Sequence, residues 1–444
     1  MKKYRLISVG DSLSQGFQSF AVFDRGQKFS FPNQIVDRNP GLFLPFRTPS
    51  IPYPGYPFNI EHFLNQLREW AIAGADWKSR LKLAQGLMKD VASYSRLPHP
   101  RHRNRHHNLS IHGYTARDAY ETTFRNRSAL IHQLLLRTPD ALRSLNFPSF
   151  ANPFDSFNFA RTTYRVLCGN PADVDRSSLD IACAICGEEE RECLITYWAG
   201  NNDVLGALVS GDKRYITDPK ITLAYIRKSL ERLLEYPNAK VVFATLPEST
   251  IAPFLDEKTK SPVFPVYETL SPELSLEIGN SIQEINEGIR ELFRSIGSPR
   301  LGLVEADRFF REVRESGHPI RSHDGRNLCL TCDFIETDEK GRLRKGGLVS
   351  LDGIHPTASC YALVANAFID QFREMGVALE KVDVDATAAQ DSLIVSPPAL
   401  IPPFLDANSE LRRLFAKINL FPFIKNLILN QFDFKIRSSS IFDR

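Results

Sequence analysis

Residues 4–16, YRLISVGDSLSQG, join an apolar run to a sharp turn. Residues 4–9 are typical of a buried strand, and Gly10 ends it. Asp11 and Ser12 are residue types that open helices. The pattern therefore predicts a turn from a strand into a helix, with the Ser12 hydroxyl exposed at a helix N-terminus that favours negative charge. A nucleophile fits this position, and so does an ordinary helix cap.

Three later segments end an apolar or β-rich run in a turn. Residues 108–115 read NLSIHGYT, and their apolar run ends on a glycine. Residues 194–203 read LITYWAGNND, a β-rich run that ends in Gly-Asn-Asn-Asp. Residues 351–357 read LDGIHPT and place an Asp three residues before a His. An Asp and a His so close in sequence can meet in space because the glycine between them eases a turn of the chain.

Together with Gly-Asp-Ser-Leu, these segments resemble, in this order, the four blocks of the GDSL or SGNH hydrolase family of esterases and lipases. That family is defined by a Ser, a Gly, an Asn and a His, one from each block. The resemblance covers roughly residues 1–375. It implies a three-layer α/β/α sandwich with a five-stranded parallel sheet, flavodoxin-like in type. No G-x-S-x-G elbow surrounds the serine, so the usual α/β-hydrolase arrangement is not expected.

The pattern of the remaining elements predicts the same α/β class. Apolar strands alternate with amphipathic helices, which calls for a parallel sheet covered on both faces. Strands are predicted at 193–198, 240–244 and 301–305, and helices at 61–94, 115–136, 221–236, 276–296 and 357–372.

Acyl transfer needs a nucleophile, a base, a group that orients the base, and donors for the oxyanion. Ser12 is the predicted nucleophile and His355 the predicted base, with Asp352 holding the imidazole. The resemblance implies an oxyanion hole made of the Ser12 and Gly113 backbone N–H groups and the Asn202 side chain. Each residue also has a structural interpretation: Asn202 as a helix cap, Gly113 as a turn glycine, His355 as a helix start. No metal or cofactor is expected.

Composition narrows the functional classes. The chain has 444 residues, of which 43% are hydrophobic, so it can bury a large core. A formal net charge of +3 gives no reason to expect a nucleic-acid partner. No apolar stretch approaches the length of a membrane span. The apolar run before Ser12 is too short for a signal peptide, which predicts a cytoplasmic protein as encoded, or export without a leader.

The seven cysteines are an odd number, which argues against a closed disulfide framework. The pairs Cys183/Cys186 and Cys329/Cys332 have C-x-x-C spacing and could form a zinc site if the fold brought them together. The favoured interpretation is reduced cysteines packed as small apolar residues.

Two domains are expected. Residues 1–376 form the hydrolase domain, with inserts at about 19–107 and 141–180, and residues 377–444 form a Pro-rich linker and an amphipathic extension. Prolines between residues 29 and 57 argue against regular helix there. The extension is expected to pack on the sandwich or to contact a membrane peripherally.

The sequence thus predicts a serine ester hydrolase that forms an acyl-Ser12 intermediate. Aromatic inserts and the amphipathic extension favour a lipid-like ester of the lipase or phospholipase type. The alternatives are a carbohydrate acetylesterase and a non-catalytic protein that binds a membrane or a partner on the same fold.

Overall fold

A computed structural model of the chain describes residues 3–72, 85–86, 104–129, 162–248, 253 and 270–398. The strands are β1 Arg5–Gly10, β2 Ala21–Val22, β3 Tyr56–Pro57, β4 Cys193–Trp198, β5 Ala239–Ala244, β6 Leu301–Val304, β7 His318–Arg321, β8 Asn327–Leu330, β9 Glu336–Thr337 and β10 Leu343–Lys345. The helices are α1 Ser12–Gln15, α2 Asp24–Lys28, α3 Phe31–Arg38, α4 Ile60–Ile72, α5 Ala116–Glu121, α6 Ser178–Glu188, α7 Asn202–Ser210, α8 Pro219–Leu234, α9 Pro272–Ile296, α10 Ala306–Ser316, α11 Ala358–Glu374, α12 Val384–Ala388 and α13 Ser392–Val395. Residues 124–129 and 162–167 are also helical.

The central sheet has four parallel strands in the order β1-β4-β5-β6. Residues 107–111 run beside the free edge of β1, through one parallel bridge between Ser8 and Asn108. Three backbone hydrogen bonds hold this segment: Ser8 N to His107 O, Leu109 N to Ser8 O, and Ile111 N to Gly10 O. Counted as a strand, it completes the predicted five-stranded sheet in the flavodoxin-like order 2-1-3-4-5.

Successive residues of the strands face opposite sides of the sheet and belong to two separate cores. Leu6 and Val242 lie in one core with residues of α3, α10 and α11. Ile7 and Val241 lie in the other with residues of α5, α6, α8 and α9. Because a parallel sheet is covered on both faces, β1, β4 and β5 are almost wholly buried, while the edge strand β6 alternates between buried and half-buried residues. The protein is therefore a three-layer α/β/α sandwich.

The strands predicted at 193–198, 240–244 and 301–305 are confirmed to within one residue at each end. The helices predicted at 221–236, 276–296 and 357–372 are confirmed with small shifts of their ends. The predicted helix 61–94 is observed as α4, and its later part lies outside the described residues.

Other local predictions were wrong. The proline-rich stretch contains α3, which begins at Phe31 with Pro32 in its first turn, where a proline costs no helical hydrogen bond. The helix predicted at 115–136 is interrupted at residues 122–123, between α5 and the helical residues 124–129, and residues 130–136 lie outside the described residues. Helix α6 begins inside the region interpreted as an irregular insert, and its start is fixed by a capping box between Ser177 and Asp180.

The first part of the predicted C-terminal extension lies against the hydrolase domain. Asn39 exchanges side-chain hydrogen bonds with the backbone of Glu380, and Asn366 does the same with Val382. Val377 is fully buried. Residues 399–444 lie outside the described residues, so the domain boundary and the membrane contact of the extension stay predictions.

None of the helices among the described residues is both long enough and apolar enough to cross a membrane.

Candidate active site

Ser12 lies where β1 turns into α1, at the carboxyl edge of the central sheet, in which β1 lies between β4 and the 107–111 segment. In flavodoxin-like sheets, ligands bind in the crevice at this edge. A Cβ on Gly10 would lie 2.2 Å from the Trp198 carbonyl oxygen, so only glycine fits before the turn. The Asp11 side chain caps α1 by accepting a hydrogen bond from Leu13 N. The helix is a single turn of four residues, so its macrodipole at Ser12 is smaller than the sequence pattern predicted. The groups that still favour negative charge there are the backbone N–H groups at the start of the turn.

Ser12, His355 and Asp352 form one chain of hydrogen bonds. His355 Nε2 lies 2.9 Å from Ser12 Oγ, and His355 Nδ1 lies 2.9 Å from Asp352 Oδ2. The imidazole is buried and packs on the Phe17 ring, at 4.5 Å between ring centroids. Because the carboxylate accepts a hydrogen bond from Nδ1–H, the neutral imidazole carries its hydrogen on Nδ1 and presents the Nε2 lone pair to the serine hydroxyl. This is the geometry that a general base requires.

Asp352 is buried and accepts hydrogen bonds on both carboxylate oxygens. Oδ1 accepts from Ile354 N at 2.9 Å and from His355 N at 2.8 Å. Oδ2 accepts from Phe20 N at 2.7 Å, in addition to the imidazole. Burial alone would raise the pKa of Asp352, but the His355 imidazole and the backbone N–H groups of His355 and Ile354 together hold its pKa below the ordinary value.

The segment that supplies the Phe20 donor has an unusual backbone. Ser19 and Phe20 have φ values of 50° and 63°, a backbone conformation that residues other than glycine rarely adopt. Tertiary hydrogen bonds hold both residues: Ser19 N donates to Ser350 Oγ at 2.9 Å, and Phe58 N donates to Phe20 O at 3.2 Å. This backbone conformation points the Phe20 N–H at Asp352.

Gly113 lies in a tight turn at the end of the segment beside β1. Tyr114 N donates to Ile111 O at 3.1 Å and closes the turn, with Gly113 in its third position at a φ of 77°. A type II turn requires a positive φ at this position, which favours glycine. Asn202, in the first turn of α7, donates from Nδ2 to the Tyr114 carbonyl at 2.9 Å. The hydrogen bond thus joins Asn202 to the residue that directly follows Gly113, so it brings two parts of the predicted oxyanion hole close together.

A family model described as GDSL-like Lipase/Acylhydrolase matches residues 6–368, which include all of the residues above. The chain belongs to this family. A search of curated proteins found no match. As a GDSL-like acylhydrolase the protein is a hydrolase, and the match agrees with the α/β/α sandwich described above.

An apolar cleft of about 100 Å³ opens beside Ser12 and His355 in this GDSL-like hydrolase. Asn201 and Glu248 are polar residues of its wall. Six of its apolar wall residues come from α7, α10 and the loop before His355: Val204, Leu205, Leu208, Phe310, Val349 and Ile354. Such a wall suits an aliphatic group better than a sugar, because it offers few hydrogen bonds to hydroxyl groups.

Sequence reasoning missed several residues of the site. Asn201 donates from Nδ2 to Asp11 Oδ2 at 2.9 Å and so ties the third block to the first. Gln15 accepts a hydrogen bond from His112 N at 2.9 Å. Phe17 packs on the base. The sequence signal for the contacts of His112 was its position directly before Gly113, because an aromatic side chain there must pack close to the turn.

The two C-x-x-C pairs do not converge. Cys183 and Cys186 lie in one core and Cys332 in the core on the opposite face of the sheet, while Cys329 is exposed. All seven cysteines are free, and no cluster of three or more potential ligands occurs among the described residues. Burial raises the pKa of Cys183 and of Cys332 to about 11, so these thiols stay protonated at neutral pH.

Proposed function

We propose that this GDSL-like hydrolase cleaves acyl esters through a covalent acyl-Ser12 intermediate. The observation that carries the proposal is the hydrogen-bonded chain from Ser12 Oγ through His355 to Asp352, with both distances at 2.9 Å. A serine is a weak nucleophile until an adjacent base accepts its proton, and an oriented neutral imidazole is such a base.

The reaction has two steps that use the same groups. Ser12 Oγ attacks the ester carbonyl while its proton passes to His355 Nε2, and Asp352 stabilises the imidazolium that forms. Collapse of the tetrahedral adduct breaks the bond to the alcohol, which leaves with the proton from His355. A water molecule then attacks the acyl-enzyme with His355 as base, which releases the carboxylic acid and regenerates Ser12.

The oxyanion is stabilised by the backbone N–H groups of Ser12 and Gly113 and by the Asn202 amide. The Asn202 amide carries two hydrogens, of which one is used on the Tyr114 carbonyl. The other can donate to the oxyanion. One donor of this kind typically contributes about 3 kcal/mol to lowering the barrier.

The acyl group is aliphatic and occupies the cleft beside Ser12. The support is the apolar wall contributed by α7 and α10. Burying a methylene group of the substrate against such a wall is favourable by about 0.8 kcal/mol. A fatty ester of the lipase or lysophospholipase kind fits this wall. The cleft is small, at about 100 Å³, so we expect the preferred acyl chains to be short to medium in length.

The test is hydrolysis of p-nitrophenyl esters with acyl chains from acetyl to palmitoyl, using the wild type, Ser12→Ala and Ser14→Ala. Ser14 is the matched control: it lies on the same turn, is fully buried, and its hydroxyl has no hydrogen-bond partner among the described residues. We expect Ser12→Ala to lose at least 1,000-fold in kcat, on the order of the loss from removing a triad member, and Ser14→Ala to keep its activity.

Equal turnover in the wild type and Ser12→Ala would remove Ser12 from the reaction. A strict preference for acetyl esters would keep the mechanism and replace the aliphatic substrate by an acetylated one, such as an acetylated carbohydrate. No turnover of any ester by folded wild-type protein would favour the non-catalytic alternative.

A further inference from the structure

We infer that Gln15 is a positioning residue that fixes the Gly113 turn relative to Ser12. The inference rests on the proposed function, since it concerns the oxyanion donors of that reaction. Gln15 ends the same single helical turn that Ser12 begins, and His112 directly precedes Gly113. A contact between Gln15 and His112 therefore links the two backbone donors of the oxyanion hole.

The contact is made by one oxygen that accepts twice. Gln15 Oε1 accepts the His112 backbone N–H at 2.9 Å and lies 3.0 Å from His112 Nδ1. With Nδ1 protonated, the ring donates to the same oxygen. Both residues are buried, with exposed fractions of 0% for Gln15 and 2% for His112, so water does not compete for these bonds.

Neighbouring contacts hold the two sides of this link. Asn108 Nδ2 donates to the Ser14 carbonyl at 3.0 Å, a second bond between α1 and the segment that leads to Gly113. The Phe17 ring packs on His112 at 5.2 Å and on His355 at 4.5 Å between ring centroids. The nucleophile turn, the Gly113 turn and the base thus pack as one unit around Gln15 and Phe17.

Burying the Gln15 side chain costs free energy, which argues that the hydrogen bonds its oxygen accepts from His112 are needed. Its Nε2 has no hydrogen-bond acceptor among the described residues and is buried. A buried donor left unsatisfied is destabilising, and a methionine of similar shape would avoid that cost. What a methionine would not supply is the acceptor for His112.

Loss of that acceptor affects the transition state more than the ground state. The negative charge that Gly113 N–H stabilises develops only when Ser12 attacks the carbonyl, so a displaced donor raises the barrier without weakening substrate binding. Gln15→Met is therefore expected to lower kcat, leave KM unchanged and weaken the binding of a transition-state analogue, whereas a smaller folded fraction would lower the apparent kcat and leave that affinity unchanged.

The experiment compares Gln15→Met, Gln15→Glu and the control Gln27→Met, with Ser12→Ala measured in parallel. Gln27 is also a fully buried glutamine, and its Nε2 donates to the Pro49 carbonyl, away from the Gly113 turn. For Gln15→Met we expect kcat to fall by about 10- to 100-fold, part of the 100- to 1,000-fold effect of removing a whole oxyanion donor. KM should stay within twofold. Affinity for an arylboronic acid, which forms a tetrahedral adduct on a catalytic serine, should fall by a similar factor.

Gln15→Glu keeps an acceptor oxygen for His112 and should recover most of kcat. If Gln15→Met does not fold, the test is the kcat of Gln15→Glu. A loss in kcat above tenfold in that variant contradicts the inference. With Ser12→Ala inactive, an unchanged kcat in Gln15→Met, or an equal loss in Gln27→Met, overturns the role of Gln15 and leaves the proposed function standing. Activity in Ser12→Ala, or none in the wild type, overturns the proposed function and the inference with it.

Discussion

Replacing Asp352 by asparagine tests the arrangement around the base in detail. An asparagine has one acceptor oxygen and one NH₂ group, whereas the two carboxylate oxygens each accept from two N–H groups. With the oxygen kept at the Ile354 and His355 amides, the new NH₂ group faces the imidazole and the Phe20 N–H. The imidazole can then accept at Nδ1 only by moving its proton to Nε2.

This tautomer is the wrong one for catalysis, since a protonated Nε2 cannot take the proton of Ser12. We expect kcat to fall by about 1,000- to 10,000-fold, as for other triads held in the wrong tautomer. The Phe20 N–H also loses a charged acceptor at 2.7 Å, and such a bond contributes about 1.5–3 kcal/mol. Asp352→Asn should therefore be destabilised by roughly 2 kcal/mol at pH 7.

The assay is ester hydrolysis together with urea unfolding between pH 7 and pH 3. Because the pKa of Asp352 is lowered in the folded protein, its ionised form stabilises the fold above its unfolded pKa of about 3.9. That contribution disappears as the pH falls through the lower folded pKa, while an asparagine does not titrate. The stability gap between the wild type and Asp352→Asn should thus shrink in acid.

Asp24→Asn is the control, because an asparagine there can accept from Ile51 N and donate to Ser50 Oγ, the two groups that Asp24 contacts. It should keep wild-type kcat. A kcat for Asp352→Asn within tenfold of the wild type, or a stability gap that is the same at pH 7 and pH 3, would refute the reasoning.

Three further predictions concern strain, the cleft and the thiols. Ser19→Gly should stabilise the protein by about 1 kcal/mol in urea unfolding, because it relieves a φ of 50° and removes a buried hydroxyl without a partner among the described residues. The control Ser30→Gly, at an ordinary φ of −58° and an equally buried position, should destabilise the protein. The opposite order of stabilities would contradict the strain argument. Val204→Phe should fill part of the cleft and shift the preferred ester to shorter acyl chains, with acetyl ester hydrolysis preserved; an unchanged chain-length profile would place the acyl group elsewhere. Cys329 is the exposed thiol among seven, so a colorimetric thiol reagent should label about one group rapidly in the native protein and the rest only after unfolding.

The parts of the fold that the sequence predicted are those fixed by local pattern. The strands at 193–198 and 239–244 are largely apolar, apart from Thr196 and Lys240, and a buried parallel strand is typically apolar over most of its length. Asp352 and His355 were found because their spacing of three residues lets the chain itself bring them together. In each case the information lies within a few neighbouring residues.

What the sequence did not predict depends on contacts between distant residues. Gln15 and His112 are separated by 97 positions, and neither residue type predicts a contact with the other. The left-handed backbone at Phe20 is disfavoured locally and persists because of tertiary hydrogen bonds, including the one to Asp352. The helix that begins at Phe31 was missed for a simpler reason: Pro32 was counted as a breaker although a first-turn proline is tolerated.

The separation of Ser12 and His355 by 343 positions has a consequence for biosynthesis. A ribosome exposes the serine early, but the imidazole that activates it and the N–H donors around Asp352 join it only when almost the whole hydrolase domain has emerged. The pairing of β1 with β4 cannot form either until residues 193–198 have emerged. Shortened products that stop before His355 would contain the nucleophile and remain chemically inert. On the proposed mechanism, hydrolytic activity would therefore appear only after translation has passed His355.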